Sequence, residues 1–240
     1  MTVMNILYKF RYLLLLPILL LIVFVGSKMI SGVVIDPAFN YAREWSVQGG
    51  VNAKQDWDDA VSRARLGMAI DPLNPNYPEL LGRLHFWRFF IQDAPIQSYE
   101  QAQLIVNAGL EPLRRSIEMR PTWPMAWASL LQLKSIGDQV DYEFEQVWNK
   151  AIDLGDWASS VQTILLEAGL IHWDVVNEDF RQKTINIFIS MTSKPYSELK
   201  AIAVVNRLSA WPLFCNVLVD PLLTVERMRQ ACRSLGQPAA

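Results

Sequence analysis

Prolines recur in this chain at a fixed spacing. Ala69–Leu84 (AIDPLNPNYPELLGRL) and Ser116–Leu133 (SIEMRPTWPMAWASLLQL) align at an offset of 49 residues. Pro72 falls on Pro121, Pro75 on Pro124, Pro78 on Trp127, Leu81 on Leu130 and Leu84 on Leu133. A proline lacks an N–H and clashes with the preceding turn, so Pro72 and Pro121 each end a helix. Three residues on, Pro75 and Pro124 fall where a new helix starts, in a first turn whose backbone donors are unpaired anyway. Thr122 is the expected N-cap of the second start. A stop, a corner and a start, written twice, predict consecutive antiparallel helices. Trp127 and Leu130, three residues apart, are expected on one side of the new helix.

The flanking segments extend this reading. Asp56 is the expected cap of a helix with more acids in its first turn, and Ala60, Ala64, Gly67 and Met68 share one helical face until Asp71-Pro72. After a turn at Gly137-Asp138, DYEFEQVWNKAIDLGDW forms a helix with Phe144, Trp148 and Ala151 inward, ending at Gly155. Further helices are expected over Trp157–Leu170, Asp174–Met191 and Glu198–Ser209, and another after Asp220-Pro221. The layout resembles the tetratricopeptide repeat. Trp127 and Leu130 match its Trp and Leu positions, Leu81-Gly82 its Leu-Gly pair, Ala60 its middle alanine and Pro72 its terminal proline. His85 stands at the usual tyrosine. The chain departs from that pattern by an insertion between His85 and Gly109, by a degenerate third unit from Gly137 to Gly155, and by loss of the repeat pattern after it. The expected fold is all-α, a short α-solenoid of degenerate tetratricopeptide-like helical hairpins over residues 55–240.

The N-terminus carries a different signal. Tyr12–Val25 (YLLLLPILLLIVFV) has no charge, and residues 12–35 are interrupted only by Lys28. That length suits a transmembrane helix, with Lys9 and Arg11 before it favouring a cytoplasmic N-terminus. A cleaved signal peptide shares the basic start and apolar middle, but SKMISGVV offers no clean small-residue cleavage pattern. A buried core helix is the third reading. Residues 1–35 are therefore expected to form a cytoplasmic tip and anchor, and Asp36-Pro37 to break it. Residues 36–54 then form a linker or short helix ending at Gly49-Gly50. With the anchor retained, the bulk of the chain lies beyond the inner membrane, in the periplasm of a bacterium with two membranes.

Residues 36–240 hold 19 basic and 24 acidic residues, a net of −5, which gives no general attraction to nucleic acid. Cys215 and Cys232 lie 17 residues apart. An oxidising compartment permits a disulfide between them, while two buried free thiols are the simpler reading.

Candidate chemistry is sparse. His85 and His172 are isolated from any metal-ligand motif, so no metal or cofactor is expected. His85 is expected to pack in the core. A Ser-His-Asp arrangement stays open, although the chain has neither a G-x-S-x-G elbow nor a Gly-rich phosphate loop. Asp56, Asp58 and Asp59 fit a helix start. The run LHFWRFF (Leu84–Phe90) is the best binding candidate: Trp87 and Arg88 lie off the Phe86/Phe89/Phe90 face and suit stacking and pairing with an acidic sugar. Packing of both faces in the core is the alternative. Arg83, Arg88, Arg114, Arg115 and Arg120 could line one concave side and receive an acidic peptide or an anionic glycan; scattered solvated arginines are the plainer reading.

Ile70–Arg88, Arg120–Lys134, Leu154–Gln162 and Trp211–Leu223, in this order behind a membrane segment, resemble the VpsP-type proteins of bacterial exopolysaccharide biosynthesis. The likeness covers most of residues 55–220, and Arg-Pro-Thr-Trp-Pro is its most specific phrase. It implies a non-catalytic scaffold that holds protein partners of a polysaccharide assembly or export complex. It supplies no catalytic residue. A periplasmic glycan-binding module is the alternative, and an enzyme acting on the polysaccharide comes third.

Overall fold

The computed structural model describes residues 2–215, with side chains from Leu15 onward. Among these residues ten α-helices form, joined by short corners. The β-type pairing among these residues is a single parallel bridge between Val51 and Ile91. The all-α class and its helical-hairpin arrangement agree with the proline-marked corners. The expected helix after Asp220-Pro221 lies outside the described residues. The chain divides into two compact units, residues 1–119 and 120–240.

The first unit begins with α1 (Thr2–Gln48), one unbroken helix of 47 residues. Here the expected break at Asp36-Pro37 is corrected: both Pro17 and Pro37 lie inside the helix. An internal proline costs about 3 kcal/mol. Burial on both sides of Pro37 offsets this, because Ile35, Ala38, Ala42 and Trp45 are all at most 3% exposed. Burying the isoleucine alone is worth about 1.5–3 kcal/mol, and the indole adds more apolar area. With Lys28 and Ser31, these residues form a stripe spaced alternately three and four apart, the seam of a helix packed along its length. Gly49, at φ +76°, ends the helix in the left-handed region where glycine is favoured.

Helix α2 (Lys54–Ile70) returns antiparallel to α1, with Ala60, Ala64 and Gly67 buried. Small residues on both helices permit close approach. A Cβ on Gly67 would sit 3.0 Å from the Ile35 side chain. The N-cap is Ala53, not Asp56. The Lys54 N–H instead donates to Asp93 of a later loop, 2.9 Å away. Helix α3 (Asn76–Trp87) follows the Asp71–Pro75 corner and runs into a 3-10 turn at Arg88–Phe90. Helix α4 (Tyr99–Met119) packs back on α3. Gly82 makes that crossing possible, since a Cβ there would come within 2.3 Å of Leu113 Cγ.

In the second unit α5 (Pro124–Ile136) packs on α6 (Tyr142–Gly155) and on α7 (Ser159–Ile171). Pro124 stands at the first helical position as expected. The N-cap is Trp123, without a side-chain bond, rather than Thr122. Phe144, Trp148 and Ala151 are fully buried, as the periodicity predicts. Helices α8 (Glu178–Thr192), α9 (Pro195–Arg207) and α10 (Trp211–Cys215) complete the described chain. Phe188 stacks on Phe214 at 4.1 Å and meets Trp211 edge-on, which seats α10 on α8. Cys215 is disulfide-bonded, which corrects the free-thiol expectation. The one other cysteine of the sequence, Cys232, lies outside the described residues.

Candidate functional site

Helix α1 changes character along its length. From Leu15 to Val25 its apolar side chains are exposed on every face, and Met29, Ile30 and Val33 continue the exposed surface. The chain therefore has one helix long and apolar enough to cross a membrane. The shallow concavity lined by Leu15, Leu16, Ile18, Leu19 and Ile22 belongs to that surface and offers only aliphatic side chains.

The packed stripe starts with Lys28. Its ammonium donates to Asp71 Oδ1 at 2.5 Å and lies over the Phe24 ring at 5.1 Å. Asp71 is 3% exposed and the Lys28 side chain partly so, and the pair holds the α2–α3 corner against α1. One turn on, buried Ser31 shares a hydrogen bond with the Tyr77 hydroxyl at 3.1 Å. Arg115 Nη2 donates to the Pro72 carbonyl, and Ser116 Oγ donates to the Pro75 carbonyl. Helices α1, α2, α3 and α4 thus converge on one corner. Sequence reading missed this site because Lys28, Ser31 and the alanines hide the seam that the 3–4 spacing carries.

Trp87 and Arg88 lie at the other end of α3. Trp87 is half-buried against Trp45 (6.4 Å), Phe86 (5.5 Å) and Phe90 (5.7 Å). Arg88 is 6% exposed, donates to the Ala94 carbonyl at 2.7 Å and faces the Trp57 ring at 6.0 Å. The Val51 N–H donates to the Phe90 carbonyl and the Gln92 N–H to the Val51 carbonyl, stitching the inserted loop to the α1–α2 turn. Of the Trp87–Arg88 pair expected to face a sugar, the structure fastens the guanidinium to a loop carbonyl and packs the half-buried indole against the core. His85 packs as expected, edge-on to Trp57 with Nδ1 at 2.8 Å from the Leu81 carbonyl. Burial pushes its imidazole below the ordinary range, against the opposing effect of that carbonyl.

Arg88 and Arg115 stand apart in the first unit. Exposed Arg115 of α4 reaches the corner before α3, while Arg88 is buried beyond its far end, about 18 Å away along a 12-residue helix. Arg83 and Arg114 are half-buried. In the second unit the Arg120 guanidinium lies over Trp123 at 4.2 Å. Of the acidic trio, Asp58 pairs with Lys54 and Asp59 with Arg63 along the surface of α2. Among the described residues no cluster of three His, Cys, Asp or Glu side chains could hold a metal ion.

The second unit does bring together Ser135, His172 and Asp138. Ser135 Oγ is 3.0 Å from His172 Nε2, and Asp138 Oδ1 is 3.7 Å from His172 Nδ1. The residue types are those of a nucleophilic triad, but the surroundings oppose that chemistry. Ser135 and His172 are 6% and 4% exposed. Both stand at helix C-termini, where the dipole is negative and disfavours an oxyanion. The N–H groups of Gly137, Asp138 and Gln139 bond to the carbonyls of Leu133, Ser135 and Lys134. Burial also pushes the His172 imidazole down, with Ser135 and Asp138 opposing. The arrangement closes the ends of α5 and α7. Beside it, fully buried Lys134 donates to Asp141 and Glu143, each at 2.9 Å. Burial acts to raise the Asp141 carboxyl, but bonds from Lys134 and the Phe144 N–H hold it below its usual range.

Fold and site together define an all-α helical-hairpin protein whose first helix is long and apolar enough to span a bilayer and also serves as a wall of the hairpin core. Comparison with known proteins gives no match to a family model and none to a curated sequence.

Proposed function

We propose that this chain is a membrane-anchored, non-catalytic scaffold that holds protein partners in the assembly or export of a bacterial surface polysaccharide. The observation that carries the anchored-scaffold part is the continuity of α1: one helix leaves the exposed apolar stretch and enters the hairpin core with no hinge at Pro37. Stacked helical hairpins leave extended surfaces suited to protein partners. The polysaccharide context rests on the resemblance of Arg120–Lys134 and its companion phrases to the VpsP-type proteins. A single pass with the N-terminus in the cytoplasm follows from Lys9 and Arg11, and the bonded state of Cys215 suits an oxidising compartment such as the periplasm.

In-cell crosslinking of the full chain followed by purification from membranes tests the scaffold. Recovery of inner-membrane polysaccharide-assembly subunits is expected. Capture of none, with polysaccharide output unchanged on deletion, would overturn the reading. Catalysis is tested by Ser135→Ala and His172→Gln: output that tracks protein abundance in both variants supports a non-catalytic role.

A glycan-binding reading has a specific observation in its favour. Trp123 and Trp157 are the tryptophans left exposed among the described residues, at 42% and 70%. They flank one corner, because a Cβ on Gly155 would meet Pro124 at 2.7 Å. Indole faces suit the apolar faces of sugar rings. Titration with the organism's polysaccharide, read by tryptophan emission in wild type and in Trp157→Ala, tests it. A response lost in the variant is expected for this reading, and a flat wild-type titration removes it.

A further inference from the structure

We propose that the α2–α3 corner is a lipid-contact surface, with Leu73 seated in the bilayer interface and Arg115 beside it facing lipid phosphates. This rests on the membrane-anchor reading and goes beyond it. A tether alone leaves a domain free to stand off from the bilayer, whereas the packing here fixes its height.

Three observations place the corner. Asp71 is bound to Lys28, so the corner sits at the axial level of residue 28 on α1. The only basic residues before Lys28 are Lys9 and Arg11, and Arg11 to Lys28 spans about 25 Å of helix, close to the roughly 30 Å of a hydrocarbon core. Exposed apolar side chains continue past Lys28 through Val33, so the apolar surface reaches the level of the corner itself.

The corner carries the chemistry that an interface favours. Leu73 is 73% exposed at its tip. Pro72 precedes it and gives its carbonyl to Arg115, whose side chain is otherwise open to solvent. An apolar tip flanked by a guanidinium matches the boundary between acyl chains and phosphates. Lys28 has the same double character, with its stem along the apolar helix and its ammonium in the Asp71 pair. Exposed Val47, near the far end of α1, lies about 28 Å further along the helix and belongs in water.

Site-directed fluorescence on the full-length protein in proteoliposomes tests the placement. With Cys215 disulfide-bonded, single cysteines introduced as Leu19→Cys, Leu73→Cys and Val47→Cys take an environment-sensitive label without reduction. All three side chains are exposed, so the substitutions leave the core intact. A label at 73 is expected to shift to the blue and to be quenched by lipid carrying a nitroxide near its headgroup roughly twofold or more above the label at 47. Position 19 should respond most to a nitroxide deep in the acyl chain. A label at 73 as aqueous as that at 47, with 19 protected, overturns the corner contact and leaves the anchor standing. Labels at 19 and 73 both in water overturn the contact together with the anchor.

Discussion

The two proline corners share a sequence pattern, and the structure fills them differently. At Asp71–Pro75 the residue before the first proline is a buried carboxylate held by Lys28. At Arg120–Pro124 the equivalent residue is a guanidinium lying over the exposed face of Trp123. Leu73 in one corner corresponds to Thr122 in the other, and Gly82 in α3 to fully buried Leu131 in α5. The prolines set the chain reversal in both places. What the corner holds depends on the helix packed against it: α1 supplies a cation to the first, while the Trp127 indole closes the second by donating to the Pro121 carbonyl at 2.8 Å.

Exchanging residues between corners tests how far the equivalence goes. Gly82→Leu, which copies α5 into α3, has the largest expected effect. Its Cβ alone would stand 2.3 Å from Leu113, so overpacking should cost about 3 kcal/mol or more and remove protease-resistant folded unit 1. Next comes Lys28→Met. It leaves Asp71 buried without its cation and is expected to lower stability in nanodiscs by about 2–3 kcal/mol, less than for a fully buried pair because Lys28 is partly exposed. Adding Asp71→Leu to that variant should recover most of the loss. A double variant no better than Lys28→Met would show that the corner is held by something other than the pair.

Acid should weaken both units. His85 and His172 each have a folded pKa below the ordinary value, so the unfolded chain binds more protons as pH falls below about 6.5. Stability from these groups is fully present above that pH and is lost as pH drops towards the folded values. Asp141, also depressed, extends the loss at lower pH. Urea midpoints should therefore fall between pH 7.5 and pH 5, with a shallower fall in His172→Gln. An equal slope in that variant would remove His172 as a contributor. The smallest effect belongs to Arg120→Ala. One exposed cation–π contact is worth about 0.5–1 kcal/mol, so a small shift in the unfolding midpoint with altered Trp123 emission is expected.

Much of the fold was legible in residues. Pro72 and Pro121 stop helices, Pro124 starts one, Gly49 and Gly155 stand at helix ends, and Phe144, Trp148 and Ala151 point inward, all by local stereochemistry or simple periodicity. The helix caps were less legible. Thr122 and Asp56 look like caps but lose to Trp123 and Ala53; at the start of α2 a distant loop brings Asp93 to the Lys54 N–H. The surroundings of Trp87 and Arg88 were illegible for a related reason: an aromatic run beside an arginine reads alike whether it faces solvent or a second helix.

The sequence by itself determined an all-α chain with marked corners and an apolar N-terminal helix of membrane-spanning length. Those properties follow from proline geometry, glycine freedom and the length of uncharged chain, none of which needs a neighbour. Only the tertiary structure decided that α1 runs unbroken through Pro37, that Lys28 meets Asp71 and that Arg88 is buried. Each depends on surfaces brought together from distant parts of the chain, where burial outweighs the local preference of any single residue.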